Sequence, residues 1–451
     1  MRAGCRGVIG GLLVVGTAAC GEDVPGRVTF SEHVAPIVHA NCASCHRPGE
    51  VAPFPLLTYA DVRAYGDDIA HVTQTRQMPP WLPESGDHPL QGVRRLSDRD
   101  IETLQRWVKQ GMAEGDATRT PDPPSFPDGW QLGQPDLVAE VERPFVLRGA
   151  TSDVYRNLVF RASVSSPVWV RAVEFRTHGA PIHHAVIRVD PSSGSRRRDG
   201  ADGNGGFDGM SWNLVDPDGQ FLGWAPGRGP IALPEGMAWR LMPGMDLVVE
   251  VHVIAGGDSD GAAPQMITPT VGLYFADAAP TRVPVTVKMG TKLLDIPAGE
   301  SAYRVTDSWE TPFDVRLLGV YPHAHFLGSA MEVLATFPDG RSTALLRIPR
   351  WNFHWQQDYR FVTPVMLPAG TRLTMRYTFD NSAANPFNPN RPPVRVRAGP
   401  SATDEMAELG LQLLPATTAD GEALLREFVI REQRANLALG ESRVQADPDD
   451  A

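Results

Sequence analysis

From residue 136 onward the chain is a succession of short runs rich in β-branched and aromatic residues, each cut off by glycine, proline, asparagine or aspartate. The runs "SSPVWVRAVEFRT", "HHAVIRVD", "MDLVVEVHVIA", "TVGLYFA", "FDVRLLGVYPHAHFLG", "MEVLATFPDG" and "TRLTMRYTFDN" follow one another this way. Such residues suit a pleated, half-buried surface, and strands this short between turns predict β-sandwiches. The 41 prolines and 43 glycines supply the turns. Roughly 300 residues are generous for one sandwich and comfortable for two. The boundary is expected near 279–283, giving units at 136–282 and 283–432, then a polar, frayed tail at 433–451. "SGSRRRDGADGNGGFDG" reads as a flexible surface loop whose aspartates match no calcium-loop spacing.

The part before residue 117 has another texture. "SEHVAPIVHA" offers Ser31 as a helix cap, followed by Val34, Ile37 and Val38 at helical spacing. In "LSDRDIETLQRWVKQG", Ser97 caps and Ile101, Leu104, Trp107 and Val108 form one stripe, which Gly111 or Gly115 can end. Residues 27–116 are therefore expected to be a small all-α domain, joined by a proline-rich linker at 117–135. Within it, "NCASCH" is C-x-x-C-H, the attachment site of c-type haem. Cys42 and Cys45 would bond the porphyrin, with His46 as the proximal ligand of the iron. A zinc site would need more cysteines than this chain has, and a redox pair belongs beside a βαβ unit. Met78, in the polar proline-bearing loop "TRQMPPW", is the expected sixth ligand, since a thioether raises the potential. Met112 reads as packing, and His71 and His88 are the rivals. The order of helix, C-x-x-C-H, methionine loop and terminal helix resembles class I cytochromes c.

The first residues, "MRAGCRGVIGGLLVVGTAAC", have a basic end, a short apolar stretch and small residues before Cys20. The stretch falls short of the about 20 residues needed to span a bilayer. It resembles a bacterial lipoprotein signal over 1–20, with Cys20 lipidated, although Thr17 departs from the usual pattern and plain secretory cleavage is the alternative. The mature protein is expected to be exported and tethered through lipid alone, facing the periplasm or the cell exterior. Export permits disulfides, yet Cys5 and Cys20 fall in the signal and Cys42 and Cys45 in the haem motif, so none is expected. A net charge of −11 argues against a nucleic-acid partner.

Five histidines fall in strand-like runs. His323 and His325 flank one alanine, so on a strand both face one way with Tyr321. Burying two unpaired imidazoles is costly, and the spacing favours a metal over a structural role. His183 and His184 are adjacent, and neighbours on a regular strand face opposite ways. Pro181 suggests a strand start or a bulge where that rule relaxes, and spacing alone leaves the question open. His252 lies in "EVHVIA".

"IHHAVI", "EVHVIA", "PHAHFLG" and "TDEMAELG" occur in the order found in the copper type II, ascorbate-dependent monooxygenases, which include peptidylglycine α-hydroxylating and dopamine β-monooxygenases. The resemblance runs from about residue 136 to 414 and implies two jelly-roll-like sandwiches facing a solvent cleft, each with one copper. It implies that His183, His184 and His252 hold the electron-storing copper, and that His323, His325 and Met406 hold the copper where oxygen reacts. A thioether with two imidazoles favours Cu(I), as that role requires. His178 is placed on an approach loop and His354 in packing or the cleft wall. The implied activity is hydroxylation of a C–H bond of a small substrate with O2. Electrons would come from the c-type haem, from ascorbate or another external reductant, or from a redox donor protein. Tyr321 stands where the peptide-hydroxylating members carry a carboxylate-gripping arginine, and Glu408 and Gly410 replace their asparagine and tyrosine. Peptidylglycine is therefore not the expected substrate. Those changes also give the alternative its support, a non-catalytic electron-transfer or copper-binding lipoprotein that retains the ligands.

Overall fold

The computed structural model describes residues 25–446 apart from 51, 127–128, 149–153, 210–213, 254–263 and 400. The expected signal over 1–20, with Cys20, lies outside the described residues. Most of the chain is β-sandwich-like sheet, with few helices. Among the described residues no helix is long and apolar enough to cross a membrane.

The N-terminal part carries α1 (Ala35–Asn41), α2 (Tyr59–Ala64), α3 (Gly66–Gln74) and α4 (Asp98–Lys109). The entry to α1 differs from expectation. Thr29 is the residue before a π-type turn, Phe30–Val34, and Ser31 is buried inside it with its hydroxyl donating to Glu114 O at 3.0 Å. The helix α4 follows its sequence signals. Ser97 and Asp100 form a reciprocal capping box, and Gly111 leaves the helix at φ +87°. All four stripe residues of α4 meet one apolar cluster with Phe30, Val34, Val38, Val62 and Ile69. Residues 81–91 leave this cluster as a strap along the second sandwich. Trp81, Leu82 and Leu90 pack on that sandwich's core, Leu90 bridges Phe361, and Gln91 N donates to Arg360 O at 2.8 Å.

The first sandwich has one sheet built on Leu137–Glu140, Thr270–Phe275 and Val168–Arg176. Its other sheet is built on Val154–Arg161, Asp246–Val253, Ile182–Asp190 and Gly223–Trp224. In the second, Val285–Thr291, Ala407–Pro415, Val315–His323 and Tyr359–Leu367 make one sheet. Tyr303–Glu310, Arg372–Phe379, Gly328–Thr336 and Ser342–Ile348 make the other. Every pairing between these strands is antiparallel. Each pair of sheets encloses its own apolar core.

Two segments depart from the sequence expectation. The arginine- and glycine-rich loop wraps a buried guanidinium: Arg156 donates to Asp202 at 2.7 Å, to Asp208 at 2.8 Å and to Gly205 O at 2.8 Å. Its aspartates are thus engaged in pairing a charge that burial would otherwise make costly. Of the segment expected as a frayed tail, residues 433–446 belong instead to α6 (Thr418–Ala446), α5 being the short turn Gly194–Arg198. Leu424 and Phe428 of α6 pack on the second core, and Lys292 donates to Glu432 and Asn436.

The sandwiches meet through a small apolar cluster, Leu233 and Met237 with Leu318 and Leu414, and through polar groups. Arg228 of the first grips Asp358 of the second with two bonds, 2.5 and 3.0 Å, and Arg360 Nη2 donates to Phe221 O at 2.9 Å. Burial pushes the Asp358 carboxyl up, but Arg228 and Arg360 outweigh it and hold it below the usual aspartate range. Replacing Asp358 by Asn leaves the half-buried Arg228 without its counter-charge and should cost about 2 kcal/mol, less than for a fully buried pair. A carboxyl lowered on folding contributes stability that is fully present above its unfolded value, about 3.9, and is lost as the pH falls through the folded value. The wild-type advantage in urea unfolding should therefore stay flat from neutral pH to about pH 4 and shrink below it. An advantage that vanishes already at neutral pH would remove Asp358 from the interface energetics.

Candidate metal centres

The strand Ile182–Asp190 pairs with Asp246–Val253, and the register shifts between Ile182 and His184. Ile182, Ala185 and Ile187 face the core, so the extra residue at His183 lets both adjacent imidazoles leave it together. His184 lies directly opposite His252. All three histidines are buried, and one ligand atom from each lies within 4.8 Å of the others. Nδ1 of His252 and Nδ1 of His184 are 3.3 Å apart, so at most one carries the proton between them and the other directs a lone pair there. Burial first, then the neighbouring His252 and His183, push His184 well below the ordinary histidine range. His184 is thus neutral at physiological pH, the state in which imidazole ligates.

Aromatic rings enclose the trio. Tyr155 stacks on His252 at 4.4 Å with 6° between planes. From the second sandwich, Trp355 lies 4.4 Å from His183, and His354 lies 5.9 Å from His183 and 5.8 Å from His252. His178 stands apart on an exposed turn at φ +51°, its ring 2.9 Å from Thr270 Oγ1.

The second pair ends the strand Val315–His323. The rings of His323 and His325 are 5.2 Å apart and nearly perpendicular. His323 Nδ1 meets Gln356 Oε1 at 2.5 Å, and His325 Nδ1 meets Asp404 O at 3.0 Å. Both partners accept, so each Nδ1 holds the proton and each Nε2 is left with its lone pair. Burial lowers both rings, His325 to about 3 with help from His323. Met406 follows by register. His323 pairs with Glu408, so two residues earlier Met406 returns to the same side of the sheet. Glu405, fully buried, accepts from the amides of Met406 at 2.8 Å, Leu327 at 2.9 Å and His325. One carboxylate therefore ties the backbones of His325 and Met406 together. Burial raises it to about 8 against the pull of those amides. Sequence reasoning passed over Gln356 and Glu405, since only folding brings them to the histidines.

Beside Met406 opens a concavity of about 1910 Å³, lined in part by Lys288, Glu408, Arg188, Asp216, Leu425 and Phe428. Lys288 pairs with Glu408 at 2.6 Å, and Arg188 lies 3.6 Å from Glu250 and 3.8 Å from Asp216. A Cβ on Gly410 would come 3.0 Å from the Phe221 ring, so that ring already covers the position.

On the helical part, Cys45 N and His46 N both donate to Cys42 O, at 3.1 and 2.9 Å, folding the motif into a tight turn. His46 Nδ1 meets Phe54 O at 3.1 Å, which leaves Nε2 open. Both thiols are free; burial, with Cys45 beside it, pushes Cys42 up to about 12, and burial raises Cys45 as well. A disulfide-exchange pair needs the opposite shift. Met78 is half-buried on the turn after α3, its amide donating to Val72 O at 3.1 Å. Met112 packs in the helical core beside Gly66 and Trp107, His71 is exposed, and His88 reaches Thr343 on the second sandwich at 3.2 Å.

No protein-family model matches the chain, and no curated protein matches it. Among solved structures, the infectious bursal disease virus VP2 subviral particle is similar over 64% of this chain and 73% of its own, at 11% identity and a TM-score of 0.17. A Paenibacillus xanthan lyase is similar over 66% of this chain and 28% of its own, at 11% identity and a TM-score of 0.16. Scores of this size lie far below those of chains that share a fold.

The two centres make separable predictions. Gln356→Leu removes the group that fixes the His323 ring without touching the trio. It should weaken Cu(I) at the second pair by about 10–100-fold while the three-histidine centre is unchanged, as measured by competition with a Cu(I) chelator. Equal weakening at both centres would show that Gln356 acts on the fold.

Proposed function

We propose that this chain is an exported haem- and copper-containing monooxygenase that hydroxylates a C–H bond of a small substrate with O2. We place it with the copper type II, ascorbate-dependent monooxygenases, with a class I-like cytochrome c domain preceding two jelly-roll-like sandwiches and a lipid anchor at Cys20. The observation that carries this reading is the convergence of His183, His184 and His252 within 4.8 Å across a strand bulge. The pair His323 and His325, with Met406 on its side of the sheet, adds a donor set of different softness.

The donor chemistry fits the groups proposed. Three imidazoles suit a copper that changes charge by one, two imidazoles with a thioether suit Cu(I), and C-x-x-C-H with an open Nε2 suits haem. When bound, the coppers supply one-electron redox chemistry and the haem supplies electrons singly. Oxygen insertion consumes the substrate C–H, O2, two electrons and two protons, and yields the alcohol and water. The protein's own residues do the rest. Gln356 and the Asp404 carbonyl orient the two imidazoles, and Glu405 keeps their loop against Met406. Tyr321 and the Lys288–Glu408 pair form the wall a substrate meets. The Arg188 guanidinium is already shared between Glu250 and Asp216, which supports a substrate other than a peptide carboxylate.

The non-catalytic alternative draws on Phe221, which fills the space above Gly410 where a substrate contact would lie. Oxygen uptake separates the two. The reduced, copper-loaded enzyme should consume O2 with a cognate substrate, whereas an electron-transfer protein would consume none beyond reoxidation.

Metal analysis of the purified protein is expected to return two coppers and one iron. Iron alone would overturn the copper reading. Truncation before Gly133 would also strip the strap, so the sharper variant is Cys42→Ala/Cys45→Ala. That protein should keep both coppers and turn over with ascorbate, yet lose turnover driven through a reduced donor protein. Undiminished donor-driven turnover would sink the role given to the haem.

A further inference from the structure

The turn bearing the thiols does not face outward. Gly227, on the loop after Gly223–Trp224, sits at φ +73°, and a Cβ there would come 2.5 Å from Cys45 Sγ, 3.2 Å from Ser44 Oγ and 3.4 Å from Arg94 Nη1. Three groups of the helical unit thus close on one glycine of the first sandwich. Arg94 spans the join. Its Nη1 donates to Pro226 O at 2.9 Å, and its Nη2 donates to Gln357 Oε1 at 3.2 Å, on the second sandwich.

Gln357 follows Gln356, the residue that holds His323, and Trp355 and His354 lie against the trio. Phe353 completes the loop, 5.4 Å from His325 and 5.8 Å from Tyr155. The six residues 353–358 therefore touch the helical unit and both histidine clusters. The two loops that Arg94 bridges are also fastened to each other, two residues beyond Pro226 and one beyond Gln357, by the Arg228–Asp358 pair.

We propose that Arg94 is a positioning residue that seats the Cys42–His46 turn on these two loops, so that a group attached at the thiols is held towards the copper cleft. The identity of that group rests on the proposed function; the seating does not. Glycine at 227 serves the same end, since any side chain there would push the turn away.

The test compares full-length, metal- and haem-loaded wild type with Arg94→Leu and Gly227→Val. Hydrogen–deuterium exchange reads the seating. In both variants, amides of 42–46 and 353–358 should lose protection by about tenfold while α4 keeps its own, because local opening is read segment by segment. Stopped-flow absorbance reads the consequence: on mixing dithionite-reduced haem protein with cupric ion already bound, ferrous haem becomes ferric as cupric copper becomes cuprous, one electron each. That reoxidation should slow at least about tenfold in the variants, as expected when a contact that sets geometry is lost. Arg94→Lys, which can keep one of the two bonds, should fall between. Unchanged protection in both segments would overturn the seating role. Lost protection with an unchanged reoxidation rate would overturn its functional meaning. Wild-type protein without copper or haem would instead fail the proposed function, while the exchange data still decide the seating.

Discussion

One irregularity governs what the first sandwich can offer: the extra residue between Ile182 and His184. Without it, two neighbouring imidazoles would stand on opposite sides of the sheet, one of them in a core of valine, leucine and isoleucine. With it, the core keeps Ile182, Ala185 and Ile187, and both rings turn outward towards His252. The bulge costs ladder pairing at one position and gives a three-donor cluster that a regular strand cannot present.

The outward face so created is met by an equally polar one. Arg188 and Glu250 on the first sandwich look across at Tyr321, Lys288 and Glu408 on the second, and Arg228 reaches over to Asp358. Such pairs contribute little net stability, since desolvation offsets most of their attraction. What they do supply, beside the small apolar contact of Leu233 and Met237 with Leu318 and Leu414, is a defined approach between the two sandwiches. Met406 and the Lys288–Glu408 pair line the concavity at this join.

The parts of this arrangement that were legible in sequence are the local ones. Ser97 and Asp100 announce their helix because the cap and the helix are neighbours in sequence, and the stripe of α4 reports the core it meets. The strands of both sandwiches are marked by composition and turns. The histidines are conspicuous because imidazoles are rare among such apolar neighbours. What stayed hidden depends on distant partners. Arg156 organises a loop some fifty residues away, and nothing around it marks it as buried. Gln356 and Glu405 are unremarkable until the fold brings them to His323 and His325. The helix α6 lacks a clean apolar face, for Leu425, Val429 and Ile430 are about half exposed and Leu437 more so, and its part from residue 433 on therefore read as a polar tail.

The sheet that carries His323 and the Met406 strand has two outer strands, Val285–Thr291 and Tyr359–Leu367. Along the first lies α6, and beside the second runs the strap, bonded through Leu90, Gln91 and Phe361. Unpaired strand margins are where sheets recruit foreign strands and polymerise. Both margins of this sheet are therefore sheathed, one by α6 and the other by the strap. Solubility of the second sandwich is thus underwritten by segments that lie outside its two sheets, and proteolytic nicking in either sheath would bare a sticky rim.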